Sequence, residues 1–383
     1  MPWEETDAMQ ERGKFVLEYD SGLWSMTRLC ERYGITRTTG YKWWNRFVEG
    51  GFSDLEDRSR APVSCPHRTA KAVAAAIVAL RRDHPHWGPV TLRYRLERIR
   101  PELELPATST IGAILQRHGL VKSRPRRRRP RHPGKPYLVM EAPNDVWSAD
   151  FKGEFKMRDS RYCFPLTVAD GSSRYLLGCR GRHSTSYEGA RPVFETLFRE
   201  YGLPQQILTD NGCPFSNSTA LGGLSLLSVW WIRLGIHPVR IEPGCPAQNG
   251  RHERMHRTLK AEATRPPAGN LSAQQRAFNR FRCCFNTERP HHALEGKTPA
   301  DLYVTSSRPY PSRLPVIEYP GHYEVRKVRC KGDMKWKGSR IFVSTVLRGE
   351  SLGLEETDSG TWSVWFGPVE LGRLDERDRR LWG

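Results

Sequence analysis

Residues 122 to 136 read K-S-R-P-R-R-R-R-P-R-H-P-G-K-P: eight cations, four prolines and no acid. A run with nothing to bury and four locked φ angles builds neither a core helix nor a central strand. It therefore divides the chain into parts that must each assemble their own core. As a linker it is expected to track a phosphate backbone through Arg126, Arg127, Arg128 and Arg129. With 383 residues, 38% of them apolar, the chain is long enough for several cores. The formal charge is +19, and residues 1 to 136 hold 26 Lys/Arg against 15 Asp/Glu. Such a surplus favours nucleic acid, because each neutralised phosphate releases condensed counterions.

Other classes fare worse. No apolar run reaches the roughly 18 residues of a membrane span, so no membrane partner is expected. The start, M-P-W-E-E-T-D, is acidic and lacks an apolar signal region, so secretion is not expected. Nine cysteines, without a C-x-x-C pair, fit reduced thiols in a cytoplasm.

Residues 1 to 58 have helix-turn-helix grammar. A helix through Phe15-Val16-Leu17, a short helix Met26 to Tyr33, the break Gly34-Ile35-Thr36 and a helix from Arg37 follow one another. Tyr41, Trp44, Phe47 and Val48 form the expected inward face. Arg37, Thr38, Thr39, Lys42 and Arg46 form the face offered to a major groove. Residues 65 to 121 repeat the theme with helices Ala70 to Arg82, Pro89 to Arg100 and Ile111 to His118, Thr108 capping the third. Arg93 on the middle one is a candidate DNA contact.

Residues 137 to 305 alternate strands and helices, the pattern of an α/β domain. Residues 312 to 383 hold short alternating segments separated by Gly, Asp and Ser, which predict a small all-β barrel or sandwich.

Three acids stand where a carboxylate needs a reason. Asp150 lies inside the apolar strand V-W-S-A-D-F, Asp210 ends the strand I-L-T-D before Asn211-Gly212, and Glu253 begins a long helix. A buried carboxylate without a cation is costly. Brought together, the three would form a hard oxygen site for Mg²⁺ or Mn²⁺, and two ions about 4 Å apart would support in-line displacement at phosphorus. Taken singly, Asp210 reads as a strand-end cap and Glu253 as an acid pairing with a helix dipole.

The same helix carries His252-Glu253-Arg254-Met255-His256, a match to the H-E-x-x-H zinc-peptidase signature. No third ligand at a fitting spacing follows it, and only Met255 and Leu259 mark an apolar contact face, whereas a zinc-peptidase helix is normally packed into a core. Arg257 and Lys260 lie on the Glu253 face and would meet phosphates flanking the site. Lys152, Asn249, Arg254 and His256 complete the candidate DNA contacts, His256 as a phosphate or substrate contact and Asn249-Gly250 as a tight helix entry whose amides face an anion.

W-S-A-D-F-K-G, T-D-N-G-C-P-F and P-A-Q-N-G-R-H-E-R-M-H-R-T-L-K, in that order, closely resemble the catalytic blocks of DDE insertion-sequence transposases related to retroviral integrases. The resemblance implies a ribonuclease-H-like core between two helix-turn-helix modules and a C-terminal β domain. It also implies a catalytic triad Asp150, Asp210 and Glu253 using two Mg²⁺ or Mn²⁺ ions. The implied activity is that of a bacterial, nucleoid-associated enzyme, working as a homo-oligomer in a synaptic complex. It would bind the terminal inverted repeats of a mobile element, cut the 3′ ends and join them to target double-stranded DNA. Its rival is a transposase-derived repressor that binds DNA without cutting it. One departure is visible: 42 residues separate Asp210 from Glu253, more than the family usually has. The excess is expected in S-T-A-L-G-G-L-S-L-L-S-V-W-W, as a longer loop or helix.

Overall fold

Alternation along V-W-S-A-D-F decides how the central sheet is used, since successive strand side chains point to opposite faces. In the computed structural model, which describes residues 7–58, 68–121, 138–217, 220–378 and 380–382, Trp147 and Ala149 enter one core. Ser148 and Asp150 face the other way.

The chain separates into two compact units, Met1–Arg68 and Thr69–Gly383. The first contains α1 (Ala8–Asp20), α2 (Met26–Tyr33) and α3 (Arg37–Gly50). Gly34 takes the left-handed conformation at φ 64, and Thr36 caps α3 by accepting from the Thr39 amide. The inward face of α3 differs from the sequence expectation. Gly40 and Trp43 are its buried residues; of the expected face, Trp44 and Phe47 pack against the core, while Tyr41 and Val48 are exposed. Helix α3 lies so close to its neighbours that a Cβ on Gly40 would sit 2.6 Å from Cys30 Sγ. The contact fixes which side of α3 turns inward.

In the second unit, α4 (Lys71–Asp83), α5 (Pro89–Ile99) and α6 (Thr108–Arg117) close around Ile77, Trp87, Leu92 and Ile111. Thr108 is the first residue of α6 and Ala107 its cap, one position earlier than the sequence suggested. This module is tied to the α/β part: Arg98 donates twice to the Asp301 carboxylate, at 2.6 and 2.9 Å, and Cys284 packs against the helical core.

The α/β part runs β1 (Val146–Phe151), β2 (Phe155–Lys156), β3 (Tyr162–Asp170), β4 (Leu176–Arg182), α7 (Tyr187–Tyr201), β5 (Gln206–Thr209), α8 (Leu226–Arg233), β6 (His237–Arg240), α9 (Gly250–Ala263) and α10 (Leu271–Cys283). The sheet order is β2-β3-β1-β5-β6, with β4 on β3. Strands β1, β5 and β6 are parallel, and β3 and β4 antiparallel. This is the integrase-core, ribonuclease-H-like arrangement. Helices α7 and α8 cover the Trp147 face, with Phe194, Phe198, Trp230 and Trp231 buried there. Helices α9 and α10 cover the Asp150 face through Met255, Leu259 and Phe278.

The C-terminal part has β7 (Glu324–Lys327), β8 (Asp333–Trp336), β9 (Ser339–Phe342), β10 (Ser351–Asp358), β11 (Thr361–Phe366), β12 (Val369–Asp375) and β13 (Arg380–Trp382). They form a five-stranded sheet and a two-stranded one. The sequence marks alternating segments at Tyr323 to Val328, Gly338 to Val343, Ser351 to Glu356 and Thr361 to Phe366, which become β7, β9, β10 and β11; β8, β12 and the three-residue β13 lie outside them. The long Asp210-to-Glu253 segment finds its use here. Leu224, Val229 and Ile232 enter the C-terminal core, and Arg233 pairs with Glu350. These residues join the α/β part to the C-terminal part.

Candidate active site

Asp150 stands next to the end of β1 on the face that α9 and α10 cover, Asp210 follows β5 on the neighbouring parallel strand, and α9 crosses that face with Glu253 in its first turn. Strand ends and a helix start thus bring Asp210 and Glu253 near enough for their charges to act on Asp150. Asp150 is half-buried, and its carboxyl is pushed up to about 7 by burial first, then by the charges of Asp210 and Glu253. Lys152 offsets them only in part: the carboxyl stays raised, and Lys152 is itself held down by burial and by Lys260.

A second buried acid shows what a structural carboxylate looks like here. Asp170 accepts from the Asn144 amide at 2.7 Å, the Ser173 amide at 2.8 Å and the Ser173 hydroxyl at 2.6 Å. Its lone pairs are used within the hairpin turn. Asp150 has one side-chain neighbour of that kind, His256 Nδ1 at 3.6 Å from Oδ2. The Asp210 carboxylate accepts from Gly212 N at 3.1 Å, and Glu253 is exposed. Asp150 and its two acidic neighbours thus have the oxygen donors of a hard cation site.

Among the described residues, the three ligand-capable side chains that meet within 4.8 Å are Asp150, His252 and His256. The three carboxylates do not converge that tightly. A set gripping two ions about 4 Å apart spans up to roughly 8 Å, so it need not. The D-H-H group is a poor zinc centre, because its nitrogens are already used. His252 lies 2.8 Å from Ser148 Oγ and 2.7 Å from Thr167 Oγ1, and His256 Nε2 is 2.7 Å from that same Thr167 oxygen. Burial holds His252 down to about 3, and burial with the neighbouring His252 holds His256 to about 2. Both rings are neutral at ordinary pH.

The expectation that His256 contacts a phosphate is therefore corrected. It is buried, uncharged and turned into the sheet, as residues i and i+4 of a helix whose inward stripe is His252, Met255, His256, Leu259 and Ala263. Sequence reasoning saw only Met255 and Leu259, because histidine is read as polar. Asn249 stands at the cap position of α9, the helix entry expected of it, but its side chain is buried, against a direct contact with DNA. Arg254, Arg257 and Lys260 are exposed, and Lys152 half-buried.

On α3, Arg37, Thr38 and Lys42 are exposed. Thr39 is engaged by Thr36 in the cap, and Lys42 and Arg46 lie 4.9 Å over the Trp43 ring. Arg93 donates to Glu97 at 2.8 Å. Arg126, Arg127, Arg128 and Arg129 lie outside the described residues. Among the described residues, no helix is long and apolar enough to cross a membrane.

Comparison with known proteins agrees with this anatomy. Residues 11–62 match a helix-turn-helix domain and 39–115 a homeodomain-like domain. Residues 140–246 and 234–299 match integrase core domains, and 323–381 match the C-terminal domain of IS481 family transposases. The chain is 26% identical over 266 residues to an uncharacterized 39.2 kDa protein of insertion element IS476 from Xanthomonas euvesicatoria, covering 69% of this chain and 73% of that protein. It is 25% identical over 239 residues to an uncharacterized 31.7 kDa protein of insertion element IS407 from Burkholderia multivorans, 62% of this chain and 82% of that protein. The HTLV-2 integrase catalytic core domain in complex with magnesium aligns at 18% identity and a TM-score of 0.34, over 43% of this chain and 98% of that one.

Proposed function

From a chain that carries the domain set of an integrase-type insertion-element transposase, we propose an enzyme that cuts and joins DNA at the ends of its own element. The single observation behind this reading is Asp150: a half-buried carboxyl raised by burial and by two further acids, which Lys152 offsets only in part. A divalent pair, Mg²⁺ or Mn²⁺, would be held by Asp150, Asp210 and Glu253. Such ions activate an attacking hydroxyl and stabilise the leaving oxygen at phosphorus.

The protein's own groups do the rest. Lys152, Arg257 and Lys260 border the acids and hold the flanking phosphates, and Arg254 adds a contact on the next face of α9. Arg37, Thr38 and Lys42 of α3 enter a major groove at the terminal inverted repeat, while the arginine-rich run follows the backbone. Water attacks first and frees a 3′ hydroxyl, which then attacks a target strand. Because two element ends must meet, the enzyme works as a homo-oligomer, on the DNA of a bacterial cytoplasm.

The test is incubation of the full chain with duplex DNA carrying an element end, in Mg²⁺ or Mn²⁺. Wild type should nick it, and Asp150→Asn, Asp210→Asn and Glu253→Gln should bind the DNA without nicking. Binding without nicking by wild type under every metal condition would instead support a repressor.

A further inference from the structure

The proposed chemistry leaves the two imidazoles of His252-Glu253-Arg254-Met255-His256 without a task, yet they sit against the acid at its centre. Thr167 stands opposite Asp150 in the β1–β3 pair and is fully buried. Its hydroxyl oxygen is 2.7 Å from His252 Nε2, 2.7 Å from His256 Nε2 and 3.0 Å from the Asp150 carbonyl.

Each hydroxyl has one hydrogen and a backbone carbonyl within reach: Thr167 donates to the Asp150 carbonyl at 3.0 Å, and Ser148 to the Ala169 carbonyl at 3.3 Å. Their oxygens remain as partners for the rings, Ser148 Oγ at 2.8 Å from His252 Nδ1 and Thr167 Oγ1 between the two Nε2 atoms. His256 Nδ1 lies 3.6 Å from the Asp150 carboxylate, so the contacts form one buried run from Ser148 to Asp150. The same run bolts α9, through its inward residues i and i+4, to β1 and β3, so it also sets where Glu253 emerges from the helix.

Resting on the two-ion reading above, we propose that Thr167, His252 and His256 are positioning residues. Together with Ser148 they hold the Asp150 carboxylate and the α9 axis in the geometry that binds the divalent ions. Partners behind metal ligands commonly change metal affinity by about 10- to 100-fold when removed. The H-E-x-x-H spacing here then serves a hydrogen-bonded brace, with a threonine oxygen where a zinc ion would sit.

The experiment titrates DNA-free, full-length protein with Mn²⁺ and counts bound ion by electron paramagnetic resonance. Thr167→Val keeps the side-chain shape without the hydroxyl and should weaken Mn²⁺ binding about tenfold or more, while Thr167→Ser stays within about threefold of wild type. Binding to an element-end duplex without metal should be unchanged in both. If near-ultraviolet dichroism shows Thr167→Val unfolded, His256→Phe, which keeps a ring and loses both nitrogens, decides by the same criterion. A folded variant that binds Mn²⁺ like wild type overturns the proposal. So does one tightly held Zn²⁺ per chain that His256→Phe abolishes, which would make this a zinc site. Wild type that takes up no Mn²⁺ at all overturns the carboxylate reading as well, whereas normal uptake in every variant strikes only the brace.

Discussion

In metal-free protein, replacing Asp150 with asparagine should make the fold more stable, by an amount that depends on pH. Burial and two like charges lift the Asp150 carboxyl from 3.8 to about 7. Each tenfold change in proton affinity is worth about 1.4 kcal/mol, so the ionised form costs up to roughly 4 kcal/mol. Its side chain is 19% exposed, and solvent screening lowers the expectation to about 2 to 4 kcal/mol. Between pH 4 and 7 the folded state holds a proton that the unfolded state has released, so stability falls as pH rises through that window. Asparagine has no charge to lose, and its amide oxygen can take the place of the carboxylate oxygen facing His256. The advantage of Asp150→Asn should therefore be full at pH 8 and shrink below about 1 kcal/mol at pH 4. Urea unfolding in a chelator at several pH values measures the difference. Adding Mn²⁺ at pH 8 should shrink the gap, by up to about 2.7 kcal/mol at a hundred times its Kd, because the ion stabilises the wild-type fold and the variant less. An Asp150→Asn protein no more stable than wild type at pH 8 without metal, or a gap that persists at pH 4, would refute the reasoning.

Three further outcomes are expected. Gly40→Ala places a Cβ 2.6 Å from Cys30 Sγ and 2.8 Å from Met26 Sδ, so chemical denaturation of the N-terminal unit should show a loss of about 1 to 3 kcal/mol. Arg98→Ala removes a largely exposed ion pair and should cost no more than about 1 kcal/mol. Asp301→Ala should cost more, since that carboxylate also accepts from the Thr298 amide and hydroxyl, both at 2.8 Å; equal losses would contradict the capping role. Arg37→Ala or Lys42→Ala should reduce the slope of log affinity against log salt by about 1, if each meets one phosphate. An unchanged slope would place the DNA elsewhere.

Local chemistry made much of this molecule readable in advance. The strands Val146–Phe151 and Gln206–Thr209 are bounded as their apolar runs predict, because a polar turn ends each one sharply. Gly34 and Thr36 mark the helix-turn-helix break through conformational freedom and capping, both properties of single residues. Asp150 and Asp210 stood out as charges in or at the end of apolar strands, and Glu253 as the acid at a helix start within the block P-A-Q-N-G-R-H-E-R. Which side of α3 faces inward was not readable, since Tyr41, Trp43, Trp44 and Phe47 offer competing aromatic faces. The close approach at Gly40 chooses among them.

Sequence alone determined the cationic bias and singled out the three acids, because each follows from residue type and spacing along the chain. The division into compact units, Met1–Arg68 and Thr69–Gly383, does not fall in the arginine-rich run where the sequence suggested it. Only the tertiary structure decided the meaning of His252 and His256. Their neighbours Ser148 and Thr167 come from other strands, and a neutral buried imidazole and a solvated cationic one are spelled with the same letter. It also decided what the long segment before Glu253 does. Leu224, Val229 and Ile232 look like ordinary helix residues until a β domain formed a hundred residues later packs against them.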